Sequence, residues 1–222
     1  TITKNMCEKE INSVWFTLEV TPRQFIQKMM ARGPLPLFYL PTKNIENHVQ
    51  WLIDRIIEAK VKYDVKAVFI DHLHQIFSIE RFQNKSLSLE IGDIVARIKQ
   101  IAIDYGLVIF LVAHSTDDKV SPTREPKMMD IRDSGLISRL ADTVLGVWRI
   151  PNQKPNGEST DGTENKMMNI GEDDNRAKVQ IWKNRREGKM GFFLMEHANH
   201  YLREIDMRYK ENDTGYYTND EE

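Results

Sequence analysis

The 222 residues suffice for one large domain or two small ones, with enough chain to bury a core. Lysine plus arginine number 31 against 33 acidic residues, a net charge of −2 that excludes a histone-like polybasic coat but allows a local basic patch. At 41% hydrophobic and 29% charged the composition is globular, no apolar run approaches the ~20 residues of a membrane span, the start does not resemble a signal peptide, and a lone Cys7 rules out an intrachain disulfide framework or zinc ribbon. These features lead us to expect a cytoplasmic protein without a membrane partner.

Short apolar runs alternate with amphipathic segments. Val14 to Leu18 reads as a buried strand. Thr21-Pro22-Arg23-Gln24 opens a helix, with a Thr cap, Pro at the first helical position and Gln three residues after the cap. Leu35 to Leu40 reads as a second strand edged by prolines. From Asn44 to Tyr63 the residues Ile45, Val49, Leu52, Ile53, Ile56 and Ile57 recur at helical spacing. Ala67 to Ile70 is a further strand, ended by Asp71, and Leu87 to Tyr105 a further helix, closed by Gly106. Leu107 to Ala113 is the most apolar strand and leads to His114.

Continuous apolar strands between amphipathic helices predict a mainly parallel sheet covered on both faces, hence an α/β domain. Thr143 to Ile150, Lys178 to Trp182, Phe192 to Glu196 and Tyr201 to Glu204 read as antiparallel strands toward the C-terminus. Pro151 to Arg176 lacks any period and reads as a long mobile loop, and Asp206 to Glu222 as an acidic tail.

Ligands of parallel sheets gather beyond the carboxyl ends of the strands, where this sequence places Glu19, Asp71-His72 and His114. A carboxylate such as Asp71 at the end of a buried strand can serve Mg²⁺ through water, although a turn-capping Asp has the same sequence context. Glu19 could orient or deprotonate a water, or could be a plain surface acid. His72, His74, His197 and His200 have spacings that fit no common zinc pattern. Lys183-Asn184-Arg185-Arg186-Glu187-Gly188-Lys189 is a basic turn, either solvated or a cationic finger for phosphate. Lys119, Arg124, Lys127 and Arg132 punctuate the stretch after His114, in the manner of a loop touching a polyanion backbone or of an ordinary solvated loop.

In this order the segments resemble the RecA-like ATPase domain of replicative hexameric DNA helicases, the family of DnaB, the phage primase–helicases and Twinkle. The matching stretches are VWFTLEVTPRQF (14–25), AVFIDHLHQIF (67–77), VIFLVAHSTDDK (108–119), DIRDSGLISRLADTVLGVWR (130–149) and KVQIWKNRREGKMGFFLME (178–196). Asp71-His72 and His114, where DnaB itself usually has Gln, look closer to the phage and Twinkle branch. The resemblance implies a RecA-like three-layer αβα domain over residues 1–204, with 205–222 as a tail, acting in an ATP-dependent helicase. Position by position it implies Glu19 as the water-activating glutamate, Asp71 as the Mg²⁺ aspartate and His114 as the γ-phosphate sensor. It further implies residues 115–132, with Lys119, Arg124, Lys127 and Arg132, as the DNA-binding loop. Lys183 and Arg185 match the pair that reaches the neighbouring subunit's nucleotide. The implied cofactors are ATP, or another nucleoside triphosphate, and Mg²⁺. The implied partners are single-stranded DNA, further copies in a ring, most simply a hexamer, and a primase, loader or polymerase.

One departure stands out. The family's phosphate-binding loop, G-x-x-x-x-G-K-[ST], should precede Val14, yet Thr1 to Glu10 contain no glycine. The expectation is a segment that begins after the phosphate-loop helix and is inactive in isolation, the alternative being a domain that has lost the loop. A RecA/RadA- or KaiC-like ATPase and a non-catalytic DNA-binding or assembly module remain the rival readings.

Overall fold

The computed structural model describes residues 1–31, 33–42, 48–72, 87–115, 125–131, 134–150, 176–198 and 201–205. In chain order these form α1 (Ile2–Glu8), β1 (Ser13–Thr17), α2 (Pro22–Met30), α3 (His48–Tyr63), β2 (Ala67–Asp71), α4 (Leu87–Asp104) and β3 (Val108–Leu111). A 3₁₀ turn (Met128–Asp130), α5 (Ser134–Leu140), β4 (Thr143–Arg149), β5 (Arg176–Asn184), β6 (Gly191–Ala198) and β7 (Tyr201–Glu204) follow.

The strands make two sheets, a parallel one in the order β1-β2-β3 and an antiparallel one in the order β4-β5-β6-β7. Val14, Phe16, Val68 and Ile70 turn inward and meet Leu52, Ile53 and Ile56 of α3 and Ile91, Ile94 and Ile98 of α4, all buried in one cluster. Each such side chain contributes roughly 1.5–3 kcal/mol by leaving water. On the opposite face Trp15, Phe69 and Phe110 stack in a single rung, with centroid spacings of 4.5 and 4.6 Å. Phe25 of α2 packs on Trp15 at 5.0 Å, and the Trp15 indole N–H donates to Thr3 of α1. The start of α2 is the predicted capping box: Thr21 Oγ1 accepts from the Gln24 N–H, and Gln24 Oε1 accepts from the Thr21 N–H.

The structure corrects three expectations. Leu35 to Leu40 is not a strand: Pro34, Pro36 and Pro41 remove ladder donors, and only Tyr39 bridges to Val14. The third parallel strand is shorter than 107–113, running from Val108 to Leu111, and its first residue, Val108, is 56% exposed. Arg176 belongs to β5 rather than to the preceding loop. Helix α1 has no counterpart in the sequence reading. Residues 44–47, the loop 151–175 and the tail from Asp206 lie outside the described residues.

In the second sheet the register slips between Val144 and Leu145, so Trp182 has no opposite partner and bulges. Its ring lies over Gly146, where an added Cβ would meet the Trp182 ring at 2.3 Å. That close approach admits only glycine, and it seats β5 just before the basic turn.

Candidate active site

The aromatic rung fixes the register of the parallel strands, and register decides what emerges at their carboxyl ends. A few residues beyond the rung, each strand delivers one polar side chain: Glu19 after β1, His72 after β2 and His114 after β3. His72 Nδ1, carrying the proton in that tautomer, donates to Glu19 Oε2 at 3.2 Å. His114 Nε2 lies 3.9 Å from the same oxygen, and its ring meets the His72 ring edge-on at 4.1 Å. His72 is only 13% exposed, while Glu19 and His114, at 52% and 54%, face solvent. Asp71 closes β2 and is partly buried, its carbonyl accepting from the Leu18 N–H at 2.8 Å. This hydrogen bond carries the β1–β2 pairing one step past the strands and aims the Glu19 turn at this edge.

A second polar cluster gathers at the end of α5, whose last carbonyls lack intrahelical donors. Lys183 donates to the carbonyls of Ser138 at 2.8 Å and Arg139 at 3.1 Å, and Arg185 donates to that of Arg139 at 2.9 Å. Lys99 of α4 donates to the Leu140 carbonyl at 2.8 Å and to Asp142 Oδ1 at 2.7 Å. Arg185 donates to Asp142 from its guanidinium at 3.0 Å and from its backbone N–H at 2.8 Å. Three cations at a helix C-terminus suit the negative end of its dipole.

The Lys99 ammonium, followed by Arg185, holds the Asp142 carboxyl below its usual range. Desolvation, with Arg185 and Lys99 nearby, pushes the Lys183 ammonium below the ordinary lysine range. A carboxyl lowered on folding adds stability above its unfolded pKa, about 3.9, and loses it as pH falls through the folded value. Asp142→Asn should therefore lower the unfolding free energy measured in urea at neutral pH, by no more than about 1 kcal/mol for a pair this exposed. The difference from the unaltered chain should shrink as the pH drops below about 3.9, and a difference that persists in acid would deny the pairing its role.

Of the predicted DNA-loop residues, Lys127 is described and exposed, whereas Lys119, Arg124 and Arg132 lie outside the described residues. The two ends of the segment meet in a bridge between Ser115 and Ile131. Glu125 is tied to β5 by a 2.8 Å pair with Lys178, whose ammonium also sits over the Phe192 ring. Asp130, buried, accepts from the Lys127 backbone N–H at 2.7 Å. The described residues Glu125 to Ile131 are thus tied to the second sheet and to Ser115, which follows directly on His114.

The structure brings Glu19, His72 and His114 together and assembles Lys183 and Arg185 elsewhere, on β5 and the turn after it. Sequence spacing groups His72 with His74, His197 and His200. The fold instead gives it Glu19 and His114 as neighbours, while His197 lies exposed on β6 and His74 and His200 are outside the described residues. Position at consecutive strand ends, not separation along the chain, is the sequence signal that agrees with this grouping. Lys99, which helps hold the basic turn, carries no sequence signal of its own, whereas Asp142 lies in the matching stretch 130–149 without a role assigned by it.

The sequence model of the DnaB-like helicase C terminal domain matches residues 35–204, well over half of the chain. The "Probable plasmid replicative DNA helicase" of Chlamydia psittaci is 29% identical over 107 residues, 48% of this chain and 23% of that protein. The replicative DNA helicase DnaB of Rickettsia felis is 30% identical over 96 residues, 43% of this chain and 19% of that one. The matched stretches thus span less than a quarter of these curated relatives. In fold, the chain is similar to a DnaB-like replicative helicase whose structure was described with its interactions with primase. That likeness has a TM-score of 0.68 at 17% identity, over 92% of this chain and 53% of that one. A KaiC-like protein of Pyrococcus horikoshii OT3 is similar with a TM-score of 0.61 at 16% identity, over 92% of this chain and 80% of that one. The mixed parallel and antiparallel architecture is therefore RecA-like, as expected. No described helix is long and apolar enough to cross a membrane.

Proposed function

Because the chain belongs to the family of DnaB-like helicase C-terminal domains, we propose that it is the ATPase segment of a replicative helicase that unwinds duplex DNA by moving along single-stranded DNA as a hexameric ring. In this reading residues 1–204 form the motor unit and 205–222 an acidic tail. The observation that carries it is the convergence of Glu19 and His114 at the ends of β1 and β3, with Asp71 closing β2 between them. The KaiC-like reading rests on fold alone, whereas the family match favours the helicase.

The donor chemistry of this edge fits the hydrolytic side of a magnesium nucleotide. Asp71 offers a hard carboxylate oxygen of the kind Mg²⁺ selects, reached through water. The cradle for the β- and γ-phosphates is not among the 222 residues, which contain no G-x-x-x-x-G-K-[ST] run. When bound, Mg²⁺ neutralises charge on the phosphate oxygens. His72 holds Glu19 by Oε2, which leaves Oε1 to take the proton of an attacking water. His114 stands between that carboxylate and the segment 115–132, so it can pass the state of a terminal phosphate to the DNA contact. Lys183 and Arg185 serve the nucleotide of the next subunit. A primase partner is supported by the similarity to a helicase described with its interactions with primase.

The test is strand separation by the full-length protein on a forked duplex. Unwinding should need hydrolysable nucleotide. Tight single-stranded DNA binding with neither hydrolysis nor unwinding would favour a non-catalytic module instead. For the DNA contact itself, replacing Lys119 and Lys127 by Ala should weaken single-stranded DNA binding alike for all sequences. Each lost phosphate contact should flatten the log–log salt dependence by about 0.7. An unchanged slope would remove residues 115–132 from the interface.

A further inference from the structure

We infer that Glu19, His72 and His114 form a binding site for a first-row divalent transition metal ion, with Zn²⁺ the best fit, separate in ligand chemistry from any Mg²⁺ served by Asp71. Each residue offers one ligand atom, and these three atoms all lie within 4.8 Å of one another. Two donors on one tetrahedral Zn²⁺, at bonds of about 2.0–2.1 Å, stand roughly 3.3 Å apart. Glu19 Oε2 is already 3.2 Å from His72 Nδ1 and 3.9 Å from His114 Nε2. The remaining closure falls to Glu19 and His114, the two solvent-facing side chains, while the largely buried His72 gives the site a fixed ligand.

Ligand type selects the ion. Two imidazoles and one carboxylate suit zinc and its neighbours, whereas Mg²⁺ takes oxygen ligands and gives up its water reluctantly. Three protein ligands with an open, solvent-facing side leave a fourth position for water. The geometry is a product of the fold: three hydrogen-bonded neighbours in one parallel sheet each supply one ligand from the same end. Occupancy at Oε2 would draw charge from the Glu19 carboxylate, lower the basicity of Oε1 and so oppose water activation. Only that consequence rests on the hydrolytic reading above, and the site itself does not.

The experiment titrates Zn²⁺ alone into the full chain by calorimetry, with histidine side-chain nitrogens followed by long-range ¹H–¹⁵N spectra. One equivalent of Zn²⁺ should bind, the ring nitrogens of His72 and His114 should shift, and excess Mg²⁺ should not displace the ion. His72→Asn, His114→Asn and Glu19→Gln should each weaken binding by more than the roughly 10–100-fold that losing an outer-sphere partner costs. His197→Asn should leave it unchanged. No binding, binding indifferent to all three replacements, or shifts confined to other histidines would each overturn the site. The spectra of the unaltered chain decide the matter even if a variant fails to fold. No readout depends on nucleotide hydrolysis, so failure here leaves the helicase reading standing, and failure of that reading leaves this result intact.

Discussion

Glu19→Gln in the full-length protein should leave nucleotide binding near its original strength and slow hydrolysis by about 10²–10⁴-fold, the usual worth of a positioned general base. The substitution keeps the size and most of the hydrogen-bonding reach of the side chain, so the amide oxygen can still accept from His72. It removes the one property the reaction needs, a carboxylate able to take a proton from water. Glu19 is 52% exposed, so the change should hardly affect folding. The measurement is single-turnover hydrolysis beside equilibrium nucleotide binding. Turnover close to that of the unaltered protein would sink the assignment of Glu19. Loss of binding together with turnover would instead mean that Glu19 shapes the pocket.

Arg185→Ala should reduce hydrolysis by roughly 10³–10⁵-fold if Arg185 acts as a finger on the neighbouring subunit's nucleotide. Within its own chain Arg185 is held by Asp142 and by the Arg139 carbonyl, both exposed contacts at the surface. An exposed ion pair of this kind contributes about 0–1 kcal/mol, so it can yield to a phosphate, for which the guanidinium offers paired donors. Structural and catalytic roles therefore separate cleanly: small loss of stability, large loss of rate. A solvated turn predicts almost no change in rate. Mixing Arg185→Ala subunits with Glu19→Gln subunits decides whether the finger acts across an interface. In mixed rings some interfaces join an intact Glu19 to an intact Arg185, and activity should rise above that of either parent. If subunit exchange is demonstrated and no mixing ratio does so, the finger does not act in trans.

The two experiments probe different parts of the fold. Glu19 follows β1 of the parallel sheet, and Arg185 lies on the turn after β5 of the antiparallel one. Lys99 of α4, bonded to both the Leu140 carbonyl and Asp142, links the helix that covers the first sheet to the base of that turn.

The sequence by itself determined the elements whose signals are local. Helical spacing gave α3 and α4, the Thr21–Gln24 pair gave the start of α2, and the apolar runs before Asp71 and His114 gave β2 and β3. It also placed Glu19, Asp71 and His114 at strand ends, because a polar residue directly after a buried apolar run has to emerge there. The basic turn at Lys183 to Lys189 was equally legible as a turn. What local pattern could not supply was whatever depends on neighbours distant in the chain. Leu35 to Leu40 has strand-like side chains, but pairing requires donors that its prolines lack. The run from Leu107 to Ala113 is apolar enough for a longer strand, but strand length depends on how far the neighbour pairs, and β2 pairs with β3 only over Val108 to Leu111. Above all, only the tertiary structure decided that the His72 ring turns to hydrogen-bond Glu19 and meet His114 edge-on. Residues far apart in sequence become neighbours when parallel strands align in register, and here stacking of Trp15, Phe69 and Phe110 sets that register. The same holds for Lys183 and Arg185, whose charges a sequence can list, but whose partners, the Ser138 and Arg139 carbonyls at the end of α5 and the carboxylate of Asp142, come within reach only once the second sheet has packed beside that helix.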